Sequence, residues 1–183
     1  MSALVGIVGR KYAGKDTLAK MAFPSAVNVK MADPLKNMVR TLLRHAGLSD
    51  ADIERCVEGD LKEVAVVGPA GNPHITPRHI MQTLGTEWRQ MIYQDLWIDM
   101  FEKTVVLQMC AGNTVVCTDV RFGFEAERIR ALGGKLIRVR RPQTEVDDPH
   151  PSEAEIPFIP VDVEILNDGD LNDLQRKIDA HLR

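Results

Sequence analysis

The chain has 183 residues, 44% of them hydrophobic and 27% charged, and its formal net charge is −3. These values are typical of a single globular domain, here residues 1–183, that is large enough to bury its own core. A slightly acidic chain has no overall basic field that would attract nucleic acid, and its apolar runs are too short to span a membrane, so neither partner is expected.

Apolar runs alternate with amphipathic stretches along the chain, which indicates an α/β fold with a parallel sheet. In chain order, the first half predicts a strand at 3–8, a helix at 15–22, a strand at 26–31, and helices at 33–46, 50–57, 77–89 and 94–111. The second half predicts a strand at 114–119, a helix at 122–132, strands at 135–140 and 161–166, and a helix at 171–182.

Local signals mark several of these boundaries. Asp33-Pro34 and Thr76-Pro77 each combine an N-cap candidate with a proline in the first helical position. The stretch 68–76 is expected to be a loop. Residues 141–160 carry five prolines, so a long loop or a mobile flap is predicted there.

The loops that follow the five predicted strands contain most of the charged candidates. Parallel strands bring their carboxyl ends to one edge of a sheet, where ligands bind in folds of this kind. We therefore expect an active site built from the loops at 9–14, 32–36, 119–121, 140–153 and 167–169.

The three cysteines, Cys56, Cys110 and Cys117, form no CxxC pair. Their odd number and apolar surroundings predict buried, reduced thiols of a cytoplasmic protein. The N-terminal segment MSALVGIVG lacks the basic region of a signal peptide, which agrees with that location.

The segment GRKYAGKDTLAK has the glycines and the lysine of a phosphate-binding loop. Gly9, Gly14 and Lys15 stand between a predicted strand and a predicted helix, which is the context that this motif requires. Glycines let backbone N–H groups turn toward a phosphate, the helix N-terminus adds positive potential, and Lys15 adds a mobile charge. The alternative is a glycine-rich turn with a chance lysine.

Asp16 occupies the position after the lysine, where many phosphate loops carry a hydroxyl that binds Mg²⁺. A carboxylate there could hold Mg²⁺ through water, brace the loop or cap the helix, and the sequence leaves these alternatives open. The hydroxyl of Thr17 comes one residue later.

Arginines near the predicted strand ends could bind a second phosphate and stabilise charge in phosphoryl transfer. They are Arg78, Arg121, Arg138, Arg140 and Arg141. Any one of them could instead be an ordinary solvated side chain.

Other candidates could position a nucleotide. Asp119 ends an apolar strand, where P-loop enzymes keep an acid near Mg²⁺, although it could also pair with Arg121. Gln82 could read the edge of a base. Four aromatic residues could stack on a base, although aromatics at helical spacing more often belong to a core; they are Trp88, Tyr93, Trp97 and Phe122.

Taken in order, seven segments resemble the deoxynucleoside monophosphate kinases of bacteriophages over nearly the whole chain. They are GRKYAGKDT (9–17), MADPLK (31–36), TPRHIMQTLGTEWRQ (76–90), VVCTDVRFGFEAERI (115–129), GGKLIRVRRP (133–142), HPSE (150–153) and ILNDGDLNDL (165–174). The resemblance implies an adenylate-kinase-like P-loop fold, with a five-stranded parallel sheet in three α/β/α layers. It also implies transfer of the ATP γ-phosphate to a deoxynucleoside 5′-monophosphate in the presence of Mg²⁺, as in DNA precursor synthesis.

The resemblance also implies a set of site residues. The residues implied for ATP binding are Gly9, Ala13, Gly14, Lys15, Asp16, Thr17, Asn167 and Gly169, and of these Asp16 and Thr17 are expected near the metal. The monophosphate site falls to Lys11, Arg78, Asp119, Arg121 and Glu125, to which Gln82 and Trp88 are added as candidates for contact with the base. Catalysis falls to Lys15, Arg121, Arg140 and Arg141.

Larger regions follow from the same resemblance. The stretch 141–158 is expected to be a lid, and the helices between 33 and 111 are expected to bind the monophosphate. A phage member of this family is longer and forms a homodimer, so a contact between two copies is expected within 77–111. A phage-encoded chain would act in the cytoplasm of the host cell.

Two other functions remain compatible with the sequence. A dephospho-coenzyme A kinase, or another small-metabolite kinase, could share the MADPLK and NDG segments, but Asp119-Val120-Arg121-Phe122 differs from the apolar acidic motif of such enzymes. A non-catalytic nucleotide-binding protein would need no arginines on the acceptor side.

Overall fold

The computed structural model describes residues 3–66, 75–144 and 154–182. Its sheet has the strands β1 (Leu4–Val8), β2 (Val27–Asn28), β3 (Val115–Val120), β4 (Lys135–Arg140) and β5 (Val163–Leu166). All are parallel and lie in the order β2-β3-β1-β4-β5. The helices are α1 (Lys15–Ala22), α2 (Asp33–His45), α3 (Asp50–Val57), α4 (Pro77–Met91), α5 (Leu96–Cys110), α6 (Gly123–Ala131) and α7 (Leu171–Leu182).

The chain divides into two compact units. One contains Met1–Met31 and Phe101–Arg183, and the other contains Ala32–Met100. The first unit holds the whole sheet, and the second holds α2, α3, α4 and the beginning of α5.

The first unit has helices on both faces of its sheet. Val5 and Ile7 of β1 belong to a buried cluster that also contains Leu18 of α1 and Leu174 of α7. Gly6 lies between them and faces the opposite way, because side chains alternate along a strand. A Cβ at Gly6 would lie 2.7 Å from Cδ1 of Ile129 on α6. The predicted three-layer α/β/α architecture is therefore confirmed.

The second unit has its own apolar core. The buried stripe Leu35, Val39 and Leu43 of α2 packs with residues of α3 and with Leu84 of α4. The indole of Trp97 is also buried there and donates a hydrogen bond to the carbonyl oxygen of Leu84 at 3.0 Å. The indole nitrogen is thereby satisfied, so Trp97 is a core residue rather than a stacking platform.

The structure corrects the second predicted strand, which is much shorter than 26–31. Strand β2 lies at the edge of the sheet and, within the described residues, pairs with β3 alone. After Asn28, its last sheet-like bond runs from the amide of Val29 to the carbonyl oxygen of Val116 at 2.9 Å. The amide of Met31 then donates to the Asp119 carboxylate at 3.0 Å. At this position a side chain, and not the backbone of β3, accepts the hydrogen bond.

Two smaller predictions are also wrong. Ala32, not Asp33, is the N-cap of α2, and Asp33 lies in the first turn of that helix. Cys110 is exposed, whereas Cys56 and Cys117 are buried as predicted. By contrast, Thr76 does cap α4, since its hydroxyl accepts a hydrogen bond from the amide of His79 at 3.1 Å.

The predicted loop at 68–76 and the predicted flap at 141–160 lie partly outside the described residues, which omit 67–74 and 145–153. Short 3₁₀ turns are described at Pro142–Thr144 and Ile156–Phe158. No helix in the described part of the chain is both long and apolar enough to cross a membrane.

Candidate active site

The phosphate-loop candidate connects β1 to α1. Steric constraints explain why glycine occupies two of its positions. Gly14 has φ of 100°, a left-handed conformation that favours glycine. A Cβ at Gly9 would lie 2.6 Å from the carbonyl oxygen of Val139, so the loop lies directly against β4. The Lys15 ammonium donates to the carbonyl oxygens of Gly9 and Arg10 at 2.7 and 2.8 Å. The loop therefore curls around its own lysine.

The turn after β5 braces this loop from the side. Asn167 donates from its side-chain amide to the carbonyl oxygen of Ala13 at 2.9 Å, and its backbone amide donates to the carbonyl oxygen of Arg140 at 2.7 Å. A Cβ at Gly14 would lie only 2.5 Å from Nδ2 of Asn167. Asn167 thus links the ends of β4 and β5 to the phosphate loop.

Steric constraints also explain the glycine at position 169. A Cβ there would collide with the Asp173 carboxylate. Asp173 accepts from the amide of Asp170 at 3.2 Å, and Asp170 accepts from the amide of Asp173 at 2.9 Å, so the two residues cap the start of α7 reciprocally.

Asp16 joins the first turn of α1 to the neighbouring strands. Thr118 of β3 donates its hydroxyl hydrogen to Asp16 Oδ1 at 2.7 Å, and the Lys30 ammonium lies 3.4 Å from the same oxygen. Asn28 of β2 in turn donates to the Thr118 hydroxyl at 3.2 Å. Burial alone would raise the pKa of Asp16, but the Thr118 bond and the Lys30 and Lys15 charges outweigh it and lower that pKa. The carboxylate stays ionised and remains partly exposed.

Asp119 follows two residues after the fully buried Cys117 and organises the end of β3. Its Oδ1 accepts the Met31 amide hydrogen at 3.0 Å and the Cys117 thiol hydrogen at 3.2 Å. These bonds hold the turn after β2 against β3 and orient the carboxylate at the carboxyl edge of the sheet.

Glu125 of α6 organises the next loop. Its Oε2 accepts hydrogen bonds from the amides of Arg121 and Phe122, at 2.7 and 3.1 Å. Glu125 is one of the few buried charged residues in the described part of the chain. Burial raises its pKa to about 7, the nearby Asp119 charge acts in the same direction, and the two amides act against it. Glu125 therefore shapes the backbone that carries Arg121.

A cavity of about 420 Å³ lies beside the phosphate loop and is rich in arginine. Its lining includes Arg10 and Ala13 of the loop together with Arg138, Arg140 and Arg141. Such a concentration of guanidinium groups suits an anionic ligand, since their planar N–H donors match phosphate oxygens.

The arginines of β4 differ in their surroundings. Arg138 is mostly buried: it donates to Glu164 at 3.1 Å, to the carbonyl oxygen of Ile156 at 3.2 Å and to that of Ile159. It therefore ties the 3₁₀ turn at Ile156–Phe158 to the sheet. Arg140 is about half-exposed and pairs with Glu164 at 3.4 Å.

Three candidates for the monophosphate site lie in the second unit, on α4. The guanidinium of Arg78 pairs with Glu63, and the amide of Arg78 donates to the carbonyl oxygen of Lys62 at 2.9 Å. Gln82 lies one turn further along and is exposed, and Trp88 is partly exposed near the end of the helix. Lys11, Asp119, Arg121 and Glu125 belong to the first unit.

The structure adds residues that the sequence analysis missed. Arg10 lines the cavity, and Lys30 and Thr118 hold Asp16. Glu155 accepts a hydrogen bond from the amide of Gly123, the first residue of α6, at 3.1 Å. Arg10 stands inside the phosphate-loop motif, so that motif could have suggested it. Lys30, Thr118 and Glu155 share no local motif with the residues that they contact, so sequence patterns could not reveal them.

Oxygen donors for a metal are sparse. Among the residues that the structure describes, no three His, Cys, Asp or Glu side chains come together as a metal-binding group. Asp16 and Thr17, in the first turn of α1, offer a carboxylate and a hydroxyl. These are oxygens of the kind that Mg²⁺ prefers, and Mg²⁺ in phosphate-transfer sites usually takes only one or two protein ligands.

Two features define a P-loop kinase. One is the glycine loop with its lysine between β1 and α1, and the other is the set of charged loops at the ends of parallel strands. The dephospho-CoA kinase from Campylobacter jejuni has this fold with a TM-score of 0.53 and 13% identity, over 98% of this chain and 95% of its own. A protein from Thermus thermophilus matches with a TM-score of 0.50 and 14% identity, over 98% and 95%. At these identities the likeness concerns the fold alone.

The chain belongs to the deoxynucleotide monophosphate kinase family, since a sequence model of that family matches residues 61–178. A protein of Acanthamoeba polyphaga mimivirus that carries the family's name is 31% identical, over 96% of this chain and 93% of its own. The deoxynucleotide monophosphate kinase of Escherichia phage RB69 is 34% identical over 58% of this chain, and that of Enterobacteria phage T4 is 32% identical over 58%. The matches cover only 44% and 45% of these two phage proteins.

Proposed function

We propose that this protein transfers the γ-phosphate of ATP to a deoxynucleoside 5′-monophosphate, which gives the diphosphate and ADP. The observation that carries the proposal is the position of two loops on adjacent strands. The phosphate loop, which leads to Lys15, follows β1. The loop that begins at Arg121 follows β3, whose last residues include Asp119, and β3 pairs with β1 in parallel. A donor and an acceptor can therefore meet at one edge of the sheet.

The donor side has the charges that ATP phosphates need. The N-terminus of α1 and the Lys15 ammonium would hold the β- and γ-phosphates. Arg10, Arg140 and Arg141 around the cavity would neutralise further phosphate oxygens as charge moves toward the leaving ADP. Asp16 and Thr17 would hold Mg²⁺, directly or through water, and bound Mg²⁺ would neutralise phosphate charge.

The acceptor side needs positioning rather than a strong base. A monophosphate is already ionised at neutral pH, so its oxygen can attack the γ-phosphorus while the bond to the ADP oxygen breaks. Lys11 and Arg121 would hold that phosphate, and Asp119 would orient the nucleotide. Glu125 would keep Arg121 in place through its hydrogen bond to the Arg121 amide.

The second unit is proposed to supply the remaining acceptor contacts. Arg78 would bind the acceptor phosphate, and Gln82 and Trp88 would contact the base. The stretch 141–158 is proposed as the lid, of which 145–153 lie outside the described residues. The bonds of Arg138 to Ile156 and Ile159 would anchor the far end of that lid.

The direct test is a substrate panel. Purified protein is incubated with ATP and Mg²⁺ and with each dNMP, each NMP or dephospho-coenzyme A, and ADP release is measured. The proposal expects release with at least one dNMP above the background without acceptor. Release with dephospho-coenzyme A alone would favour the small-metabolite kinase instead, and binding of ATP without release for any acceptor would favour a non-catalytic nucleotide-binding protein.

Two wider proposals concern the assembly of the protein and its location. A homodimer is supported by the exposed apolar side chains Met91, Ile92 and Tyr93, which lie within the stretch predicted for a contact between copies. Sedimentation equilibrium over a range of concentrations tests it. The viral origin of the relatives supports a role inside an infected host cell.

A further inference from the structure

Tyr12 has an unusual backbone conformation at the tip of the phosphate loop. Its φ is 65°, and within the described part of the chain no other non-glycine residue has a positive φ. Residues with a Cβ are disfavoured in this left-handed region, and the bulky ones most of all. Glycine would fit here without strain, so the presence of a tyrosine requires a reason.

Packing does not supply that reason. The Tyr12 side chain is 74% exposed and belongs to neither apolar core. Its neighbour Ala13, by contrast, is 1% exposed and belongs to the core of the first unit. A buried aromatic ring could offset backbone strain through the area that it buries, but this ring buries little.

The ring does have one specific partner. The Lys11 ammonium lies over the face of the Tyr12 ring, 4.9 Å from its centroid. This distance is within the range of about 6 Å at which a cation and an aromatic face attract each other. Lys11 is itself exposed, so nothing in the core holds its long side chain.

We propose that Tyr12 is a positioning residue for Lys11, and that the ring holds the ammonium ready for the phosphate of the acceptor monophosphate. The proposal rests on the function proposed above. A carboxylate could also hold Lys11, but it would neutralise the charge and compete with the phosphate. An aromatic face restrains the lysine and leaves its charge and its N–H donors available to a ligand. The ordering of a flexible side chain is then complete before the ligand arrives.

The experiment compares three variants of Tyr12 by ADP release, with ATP saturating and the dNMP varied. Tyr12→Leu removes the aromatic face and is expected to raise KM for the dNMP about two- to five-fold. This factor corresponds to the strength of an exposed cation–π contact. Tyr12→Phe keeps the face and is expected to restore the parent KM. Tyr12→Gly is expected to raise KM as Tyr12→Leu does, without lowering the melting temperature. KM for ATP is expected to stay unchanged in all three.

A double-mutant cycle with Lys11→Met separates positioning from a general effect on the loop. If Tyr12 acts through Lys11, Tyr12→Leu raises KM no further once Lys11 is Met. An equal increase in both backgrounds would overturn the proposal, as would a Tyr12→Phe variant that behaves like Tyr12→Leu. A lowered melting temperature of Tyr12→Gly would also count against it, because the ring would then support the fold.

NMR tests the contact independently of catalysis. A ring face shields the protons beside it, so the terminal methylene protons of Lys11 are expected upfield in the parent protein and in Tyr12→Phe, and at ordinary shifts in Tyr12→Leu. Ordinary shifts in the parent would overturn the proposal. If the upfield shifts are present and no dNMP is phosphorylated, the proposed function fails while the Lys11–Tyr12 contact stands; unchanged Lys11 shifts on addition of each dNMP would then overturn its positioning role.

Discussion

The carboxylate of Asp16 accepts a hydrogen bond from the hydroxyl of Thr118 at 2.7 Å, which joins the first turn of α1 to β3. Lys30 approaches the same carboxylate oxygen from the segment after β2. Of the three roles that the sequence left open for Asp16, the structure supports a brace between the phosphate loop and its neighbouring strands. The carboxylate is still partly exposed, so it can serve a second purpose at the same time.

Two substitutions separate the brace from a metal role. Thr118→Val removes a buried hydroxyl and its bonds to Asp16 and Asn28, whose exposed side chains can turn to water instead, so we expect a loss of about 0.5–1.5 kcal/mol in the free energy of unfolding, the net contribution of a hydrogen bond. Asp16→Asn keeps an acceptor for Thr118 but removes the charge, so we expect a higher Mg²⁺ requirement for ADP release. Chemical denaturation measures the first effect, and Mg²⁺ titration measures the second. An unchanged Mg²⁺ requirement in Asp16→Asn would leave Asp16 as a brace only.

Lys15→Ala is expected to abolish phosphoryl transfer and leave the fold intact. The ammonium donates to the carbonyl oxygens of Gly9 and Arg10 within the loop, and Lys15 belongs to neither apolar core. Lys20→Ala is the matched control, because Lys20 lies on the same helix, is exposed and is outside the proposed site. Circular dichroism checks the fold, and ADP release measures the activity. Activity of Lys15→Ala within a few-fold of the parent would show that the loop assignment is wrong.

Arg121→Ala and Arg78→Ala are each expected to weaken use of the monophosphate by about ten-fold or more in kcat/KM, since each would remove a charge-assisted phosphate contact. The measurement varies the dNMP at saturating ATP. Arg130→Ala is the control: Arg130 is exposed on α6 and bonds to Asp162 and to the carbonyl oxygen of Pro160, in the segment before β5 and not in a loop of the proposed site. Kinetics equal to those of the control would remove the substituted arginine from the acceptor site.

Much of the fold could be predicted from the sequence where local signals mark the boundaries of an element. Helix α1 lies between the glycine loop and Pro24, and α3 and β4 have the predicted ends. Strand β2 was predicted too long because its end is decided by a tertiary contact, the bond from the Met31 amide to Asp119, and not by its own apolar run.

In the candidate site, too, residues within one local motif could be predicted, whereas tertiary contacts could not. The glycines and Lys15 of the phosphate loop stand in one short motif, so sequence spacing predicts them. Sequence spacing does not predict the hydrogen-bond partners of Asp16 and Ala13. These partners, Thr118 and Asn167, are 102 and 154 residues away along the chain. Spacing cannot reveal such pairs, because only the parallel sheet order brings the strand ends together.

Glu125 is expected to make the stability of the protein depend on pH between the ordinary pKa of a glutamate and about 7. Burial raises the pKa in the folded state, so the folded protein binds more protons than the unfolded chain in this window. The free energy of unfolding therefore falls as the pH rises through about 7, and the stability from protonation is fully present below the unfolded pKa.

Glu125→Gln isolates this effect, because the amide oxygen can still accept from the amides of Arg121 and Phe122 but the side chain no longer titrates. The parent is expected to lose stability relative to this variant between pH 5 and pH 8, by on the order of 3 kcal/mol. Urea denaturation of both proteins at several pH values measures the difference. Glu127→Gln on the exposed face of the same helix is the control and is expected to follow the parent. Parallel stability curves for the parent and Glu125→Gln would mean that Glu125 is already ionised in the folded protein at pH 5.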